Sequence, residues 1–254
     1  MRILVIGGTG RIGARVVAKL TEIGHDAISA SRRSGVDVYT GDGLARVFAG
    51  VDVVVDVSEA SDFDDDPVMD FFTNATRNLL AAAQVAGVER YVALSIVGAH
   101  RSPDSGYLRA KVAQEALIRE SGVRYRIVQA TPFYEFVEGL ADSAMDGDVV
   151  KLPPALVQPM AADDAATAIA QAAVVVGDSD VTTEVAGPQQ FGMDDFVRTG
   201  LAALGDPRQV LTDVSAPYFG ALIDDESTIP GPGADIYNTR FADWLSVNAA
   251  SGTG

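Results

Sequence analysis

The chain has 254 residues and a net charge of −16, from 35 acidic and 19 basic side chains. It contains no cysteine and only two histidines, His25 and His100, which excludes disulfides, thiolate metal sites, a thiol nucleophile and a three-histidine metal centre. No basic stripe marks a nucleic-acid surface, and no apolar run approaches the roughly 18–20 residues of a membrane span, so the composition implies a soluble, cytoplasmic protein without nucleic-acid or membrane partners.

The opening segment MRILVIGGTG places an apolar strand over residues 2–6 immediately before glycines. Ile12, Val16, Val17 and Leu20 then recur at helical spacing over residues 11–23, and Gly24 ends that helix. A second strand is expected at 26–29, a short helix near 43–49 and a third strand at 51–57. The acidic run SDFDDDP at 61–67 reads as a helix start rather than a metal site, with Asp66 as N-cap and Pro67 at the first helical position. The helix extends to residue 86 before Gly87. A fourth strand is predicted at 90–95, a helix over 105–120 and a fifth strand at 123–130. Alternating strands and helices imply right-handed crossovers and a parallel sheet.

Beyond residue 131 the pattern is less regular. Helices are expected at 134–145, 163–175 and 193–204, short strands near 148–151 and 182–186, and a short helix ending in Asp243, Trp244 and Leu245. The fold class is α/β: a Rossmann-type doubly wound parallel sheet with a small C-terminal substrate-binding lobe. We expect one domain over 1–254, with residues 1–131 as its cofactor half and 132–254 mainly its substrate half.

GGTGRIG is the strongest local signal. Gly8-x-Gly10-x-x-Gly13 fits the dinucleotide fingerprint, as does Gly7-x-x-Gly10-x-x-Gly13. Its position between the first strand and the first helix is the one where such glycines let a pyrophosphate approach a helix N-terminus. About 20 residues later an NAD-binding chain carries an acid for the ribose 2′-hydroxyl. Here the sequence is Ser31-Arg32-Arg33-Ser34, so Arg32 and Arg33 stand where a 2′-phosphate would lie, and NADP(H) is expected to be preferred over NAD(H).

Ser95 ends the fourth strand at the carboxyl edge of the sheet, where doubly wound folds bind ligands. Tyr107 and Lys111 are i and i+4 on the following helix and share a face. A positive charge beside a phenol favours its ionisation, so this pair suits general acid–base chemistry on a carbonyl, with Ser95 donating to the same oxygen.

GGTGRIG, RYVALS, YLRAK and QATPFYEF, with VQPMAADDAATAIA, TEVAGPQQFGMDDF and FADWL in the C-terminal half, together resemble the NmrA-like group of atypical short-chain dehydrogenase/reductases. The resemblance implies pyrophosphate binding at Gly7, Thr9, Gly10, Arg11, Ile12 and Gly13, and adenine contacts from Asp42 and the chain around Val57 and Ser58. It also implies that Phe133 lies near the nicotinamide, that Lys111 touches the cofactor, and that Ser95, Tyr107 and Lys111 occupy the catalytic positions. Phe133 and Phe136 are the candidate substrate-pocket residues. Gln129 departs from the arginine of many relatives, at a position expected near the pocket. The leading expectation is an NADP(H)-dependent oxidoreductase acting on a small carbonyl, quinone or hydroxyl compound. Many NmrA-like proteins are non-catalytic NADP(H) sensors that bind a partner protein, and that is the alternative. An epimerase or lyase-like use of the fold is a third.

Overall fold

The computed structural model describes residues 1–177 and 180–249. Four strand–helix units and a fifth strand come first: β1 (Arg2–Ile6), α1 (Arg11–Glu22), β2 (Asp26–Ala30), α2 (Leu44–Val47), β3 (Val53–Asp56), α3 (Asp65–Ala86), β4 (Arg90–Ile96), α4 (Gly106–Glu120) and β5 (Tyr125–Ala130). The second half adds α5 (Val137–Ser143), β6 (Met145–Asp146), β7 (Val149–Leu152), β8 (Leu156–Val157) and α6 (Ala162–Val174). It continues with β9 (Val181–Ala186), β10 (Phe191–Gly192), α7 (Met193–Leu204), β11 (Gln209–Thr212), β12 (Asp235–Ile236) and α8 (Phe241–Ala249).

The central sheet has seven strands in the order β12-β9-β5-β4-β3-β1-β2, every pair parallel. From β1 the chain steps outward to β2 and then returns to the other side of β1 to lay down β3, so strand order reverses between β1 and β3. Ligands of doubly wound sheets bind at the carboxyl ends beside that reversal. The strands are fully buried runs, Ile3 to Ile6 and Val53 to Val55, because helices cover both faces. On one face Val16 and Leu20 of α1 and Ile169 of α6 pack against β1, β3 and β4. On the other Leu44, Leu79, Leu80 and Ile118 of α2, α3 and α4 do so. Each such side chain contributes about 1.5–3 kcal/mol on burial, which fixes the sheet as the rigid platform of the site.

The expected division at residue 131 is not a division in space. The chain returns from the C-terminal half to pack α6 on α1 and to add β9 and β12 to the central sheet. The lobe proper is a third core of α5, β7, α7 and α8, centred on an aromatic cluster of Tyr134, Phe196, Phe241 and Trp244.

Several boundaries move. Helix α3 starts at Asp65 with Asp64 as N-cap, not at Pro67 after Asp66. Its first-turn N–H groups need no helical partner, so a proline within that turn is tolerated, and Asp65 is tied to Arg109 of α4 at 2.6 Å. The expected helix over 134–145 is a 3₁₀ turn, Tyr134–Phe136, followed by α5 alone. The last helix begins at Phe241, rather than ending at Leu245, because Phe241 and Trp244 anchor it on the aromatic cluster. Among the described residues no helix is long and apolar enough to cross a membrane.

Candidate functional site

A cleft of about 590 Å³ runs along the carboxyl edge of the sheet, from the glycine turn after β1 to the C-terminal lobe. It brings together Gly10, Arg11, Ile12 and Gly13 at one end and Ser95, Tyr107 and Lys111 at the other. Val57 and Ser58 line it from the end of β3, and Phe133 and Phe136 from the segment after β5.

The glycines of the turn do different work. Gly7 has φ +75°, and a Cβ there would sit 2.7 Å from the Val57 carbonyl oxygen. A Cβ on Gly8 would meet Ser29 Oγ at 2.5 Å, and one on Gly13 would meet the Gly7 carbonyl oxygen at 2.1 Å. These three are required by the protein's own packing. Gly10 is different: its φ of −79° suits any residue, and an added Cβ would meet only the Gly7 oxygen, at 3.2 Å. Gly10 is also the N-cap of α1 and supplies no side-chain cap, so the first-turn N–H groups are left for another acceptor. Bare backbone, a positive helix end and an uncrowded glycine fit a dinucleotide pyrophosphate. Arg11 borders the same end. Its guanidinium bonds the Glu135 carbonyl oxygen and lies 5.8 Å from the Phe136 ring centroid.

Thr9 is exposed on the turn. Arg32 and Arg33 form a 3₁₀ turn just past β2, outside the enclosed cleft. Arg32 Nε lies 3.6 Å from the Asp37 carboxylate. Asp42 is exposed in the loop before α2, where its carbonyl oxygen accepts the Asp37 N–H at 2.9 Å. Ser29 and Ser31 flank this region with buried hydroxyls that have no hydrogen-bond partner.

At the far end Ser95 is held in β4 opposite Gln129 and is 2 % exposed; its hydroxyl, like that of Thr131, is buried and unpartnered. Both residues line the cleft, so two unsatisfied buried hydroxyls lie in its wall. Tyr107 is fixed in the first turn of α4, which Ser105 caps through the Leu108 N–H. Its ring sits among Phe63, Phe72 and Phe219, at centroid distances of 5.2, 6.3 and 5.2 Å.

Two expectations about this end are corrected. Lys111 does not ease the ionisation of Tyr107. Its ammonium bonds the Leu94 carbonyl oxygen at 2.9 Å and the Gln114 amide oxygen, and faces the Phe72 ring at 4.4 Å. The Tyr107 hydroxyl instead donates to Glu59 Oε2 at 2.9 Å, and burial, followed by the Glu59 charge, pushes the phenol well above its ordinary value. Gln129 does not line the cleft either; its amide donates to Glu115 at 2.8 Å.

Residues not singled out from the sequence complete the walls: Glu59, Thr131, Glu138, Tyr218 and Phe219. Glu59 had a signal, since it directly follows the Val57–Ser58 segment at the carboxyl end of β3, where ligands bind. Phe219 had none. It occupies the first central position of a two-residue turn closed by Tyr218 N–H to Ala221 O at 2.8 Å and Ala221 N–H to Tyr218 O at 3.1 Å. Its φ is +46°, which makes it the one non-glycine positive φ among the described residues.

Comparison with known proteins agrees with this architecture. A family model described as NAD(P)H-binding matches residues 7–173. The NAD(P)H azoreductase of Xenophilus azovorans is 28% identical over 223 residues, 81% of this chain and 74% of that protein. The photosystem II assembly factor Ycf39 of Synechocystis is 26% identical over 153 residues, 55% of this chain and 47% of that protein. Several of the curated relatives are thus matched over only about half their length. Among solved structures, the UDP-glucose 4-epimerase of Thermus thermophilus with NAD superposes with a TM-score of 0.77 at 20% identity over 100% of both chains. The NADPH-dependent quinone oxidoreductase QOR2 of Escherichia coli with NADPH gives 0.69 at 20% identity, over 97% of this chain and 99% of that one. With its glycine turn at the sheet's reversal and a matching family model over most of its length, the chain belongs to the NAD(P)H-binding family, in the NmrA-like group of atypical short-chain dehydrogenase/reductases.

Proposed function

We propose that the chain is an NADP(H)-dependent oxidoreductase that reduces a small carbonyl or quinone, or oxidises the matching hydroxyl compound. The observation that carries this reading is the continuity of one cleft: an open helix N-terminus at one end, and the buried unpartnered hydroxyls of Ser95 and Thr131 beside Tyr107 at the other. The azoreductase and the quinone oxidoreductase among its relatives and neighbours are in keeping with it.

In this reading the first turn of α1 and Arg11 hold the pyrophosphate, Val57 and Ser58 the adenosine side, and Phe133 the nicotinamide side. The bound nicotinamide supplies or takes the hydride. Arg33, exposed and without the acidic neighbour that Arg32 has in Asp37, is the better placed of the two arginines for a 2′-phosphate. Ser95 donates a hydrogen bond to the substrate oxygen, Tyr107 exchanges a proton with it, and Lys111 braces α4 against β4 through the Leu94 carbonyl. The aromatic wall of Tyr107, Phe133, Phe136 and Phe219 suits a flat apolar substrate.

The test is NADPH with a panel of quinones, azo dyes, aldehydes and ketones, followed at the nicotinamide absorbance. Tyr107→Phe should lower turnover by about 10²–10⁴-fold while cofactor affinity changes little. Turnover that survives intact in Tyr107→Phe removes Tyr107 from this role. The Tyr107–Glu59 bond favours a second reading, a cofactor sensor whose phenol is locked; it requires a partner protein whose binding follows the oxidation state of the cofactor.

A further inference from the structure

Glu59 is used by none of the steps above, yet it is the group that the Tyr107 phenol touches. Its Oε1 accepts the Ala60 N–H at 3.0 Å and its Oε2 accepts the Tyr107 O–H at 2.9 Å. Two charged groups face it besides: Lys111 from α4 and Asp56 from the end of β3. Tyr218 of the C-terminal lobe is a further titratable group near Tyr107. Asp56 is itself buried and saturated, accepting from Tyr91 at 2.8 Å, from the Ser58 hydroxyl at 2.6 Å and from Gln114 at 3.2 Å.

A phenol that donates to a carboxylate cannot also donate to a substrate oxygen. The bond must reverse for Tyr107 to act as an acid, and it reverses when the carboxyl carries the proton. The cleft walls favour that state: although the side chain is exposed to the cleft, the protein atoms around its carboxyl raise it above its ordinary value, against the opposing pull of Lys111 and the Tyr107 bond. A protonated Glu59 would donate to the phenol oxygen and free the phenol proton for the cleft. Glu59 itself opens onto the cleft and so onto water.

We propose that Glu59 is the proton source behind Tyr107, acting through it in a two-step relay. In the reductive direction the carbonyl carbon gains a hydride and the reduced nicotinamide is oxidised. The Tyr107 O–H bond breaks as the substrate O–H forms. The Glu59 O–H bond breaks as the Tyr107 O–H reforms, and the carboxylate regains its proton from cleft water. The final transfer rests on the oxidoreductase reading. The proton shared between Glu59 and Tyr107 belongs to the cofactor-free chain and is testable there.

Infrared difference spectra of cofactor-free wild type against Glu59→Gln should show one protonated-carboxyl band that titrates above the ordinary glutamate value of 4.5 and shifts in Tyr107→Phe. In ultraviolet titration one of the seven tyrosines should ionise at lower pH in Glu59→Gln than in wild type, and that component should be missing from Tyr107→Phe. A carboxyl whose folded pKa is raised gives stability that is full below its unfolded value and lost as pH rises through the folded value. The melting temperature of wild type should therefore fall relative to Glu59→Gln as pH climbs above 4.5. With NADPH and menadione, wild-type turnover should decline through the same window, and Glu59→Gln should be about 10²-fold slower with that limb flattened. Absence of the carboxyl band, or an unchanged tyrosine titration in Glu59→Gln, overturns the relay. A silent acceptor panel with the band in place overturns the oxidoreductase reading and leaves the shared proton standing.

Discussion

At the glycine-turn end of the cleft the protein presents backbone: a glycine turn, the uncapped first turn of α1, and Gly10, where an added Cβ would meet only the Gly7 carbonyl oxygen. At the other end it presents side chains drawn from β3, β4, α4 and the C-terminal lobe. At the first end Gly7, Gly8 and Gly13 leave no room for a side chain, whereas Gly10 does. The second end depends on who bonds to whom: in the relay proposed above, the Tyr107 phenol is locked on an ionised Glu59 and freed by a protonated one.

The sharpest test of this contrast is the pair Gly10→Val and Gly13→Val. A side chain at Gly10 meets little of the protein, so Gly10→Val should fold with near-native melting yet lose NADPH and NADH binding altogether by calorimetry. At Gly13 the added carbon collides with the Gly7 carbonyl, so Gly13→Val should lose about 3 kcal/mol of stability or fail to fold. Normal binding by a folded Gly10→Val would place the cofactor elsewhere. Smaller is the effect of charge past β2. Arg33→Ala should weaken NADPH binding about 10-fold, the worth of one charge-assisted contact, without changing NADH binding. Equal loss for both cofactors would remove the 2′-phosphate from Arg33. The smallest effect on stability is expected at Phe219. Its left-handed backbone costs about 1 kcal/mol, which Phe219→Gly would relieve, while the lost ring contacts with Tyr107 and Tyr218 oppose it. Stability should therefore change by less than about 1 kcal/mol, while KM for a flat acceptor rises. A large fall in stability with KM unchanged would make Phe219 packing alone.

The same contrast explains what could be read from the sequence. The glycine turn is contiguous, flanked by a strand and a helix that announce themselves by periodicity, and the structure places it as read. Ser95, Tyr107 and Lys111 do meet at one cleft, since strand ends and helix faces follow from local pattern. What local pattern could not give is direction and partner. Lys111 turns towards Leu94 and Gln114 because those acceptors lie within the fold, and Tyr107 finds Glu59 across a separation of 48 residues. The lobe was the least legible part. Its strands are as short as two residues, Leu156–Val157 and Phe191–Gly192, and pair with each other across the chain, so no period of two can develop. Phe219 sits in a turn position that usually takes Gly, Asn or Asp, and its ring packs there on Phe63, Tyr107 and Tyr218.

Glu135 connects the glycine-turn end of the cleft to the lobe. Its carbonyl oxygen receives Arg11, one carboxylate oxygen caps α6 at the Ala162 N–H at 3.0 Å, and the other accepts the Trp244 indole N–H at 3.1 Å. Trp244 is the one tryptophan of the chain. The indole thus shares a hydrogen-bond partner with Arg11 of the glycine turn, so a ligand that displaced Arg11 should shift the emission of the C-terminal helix.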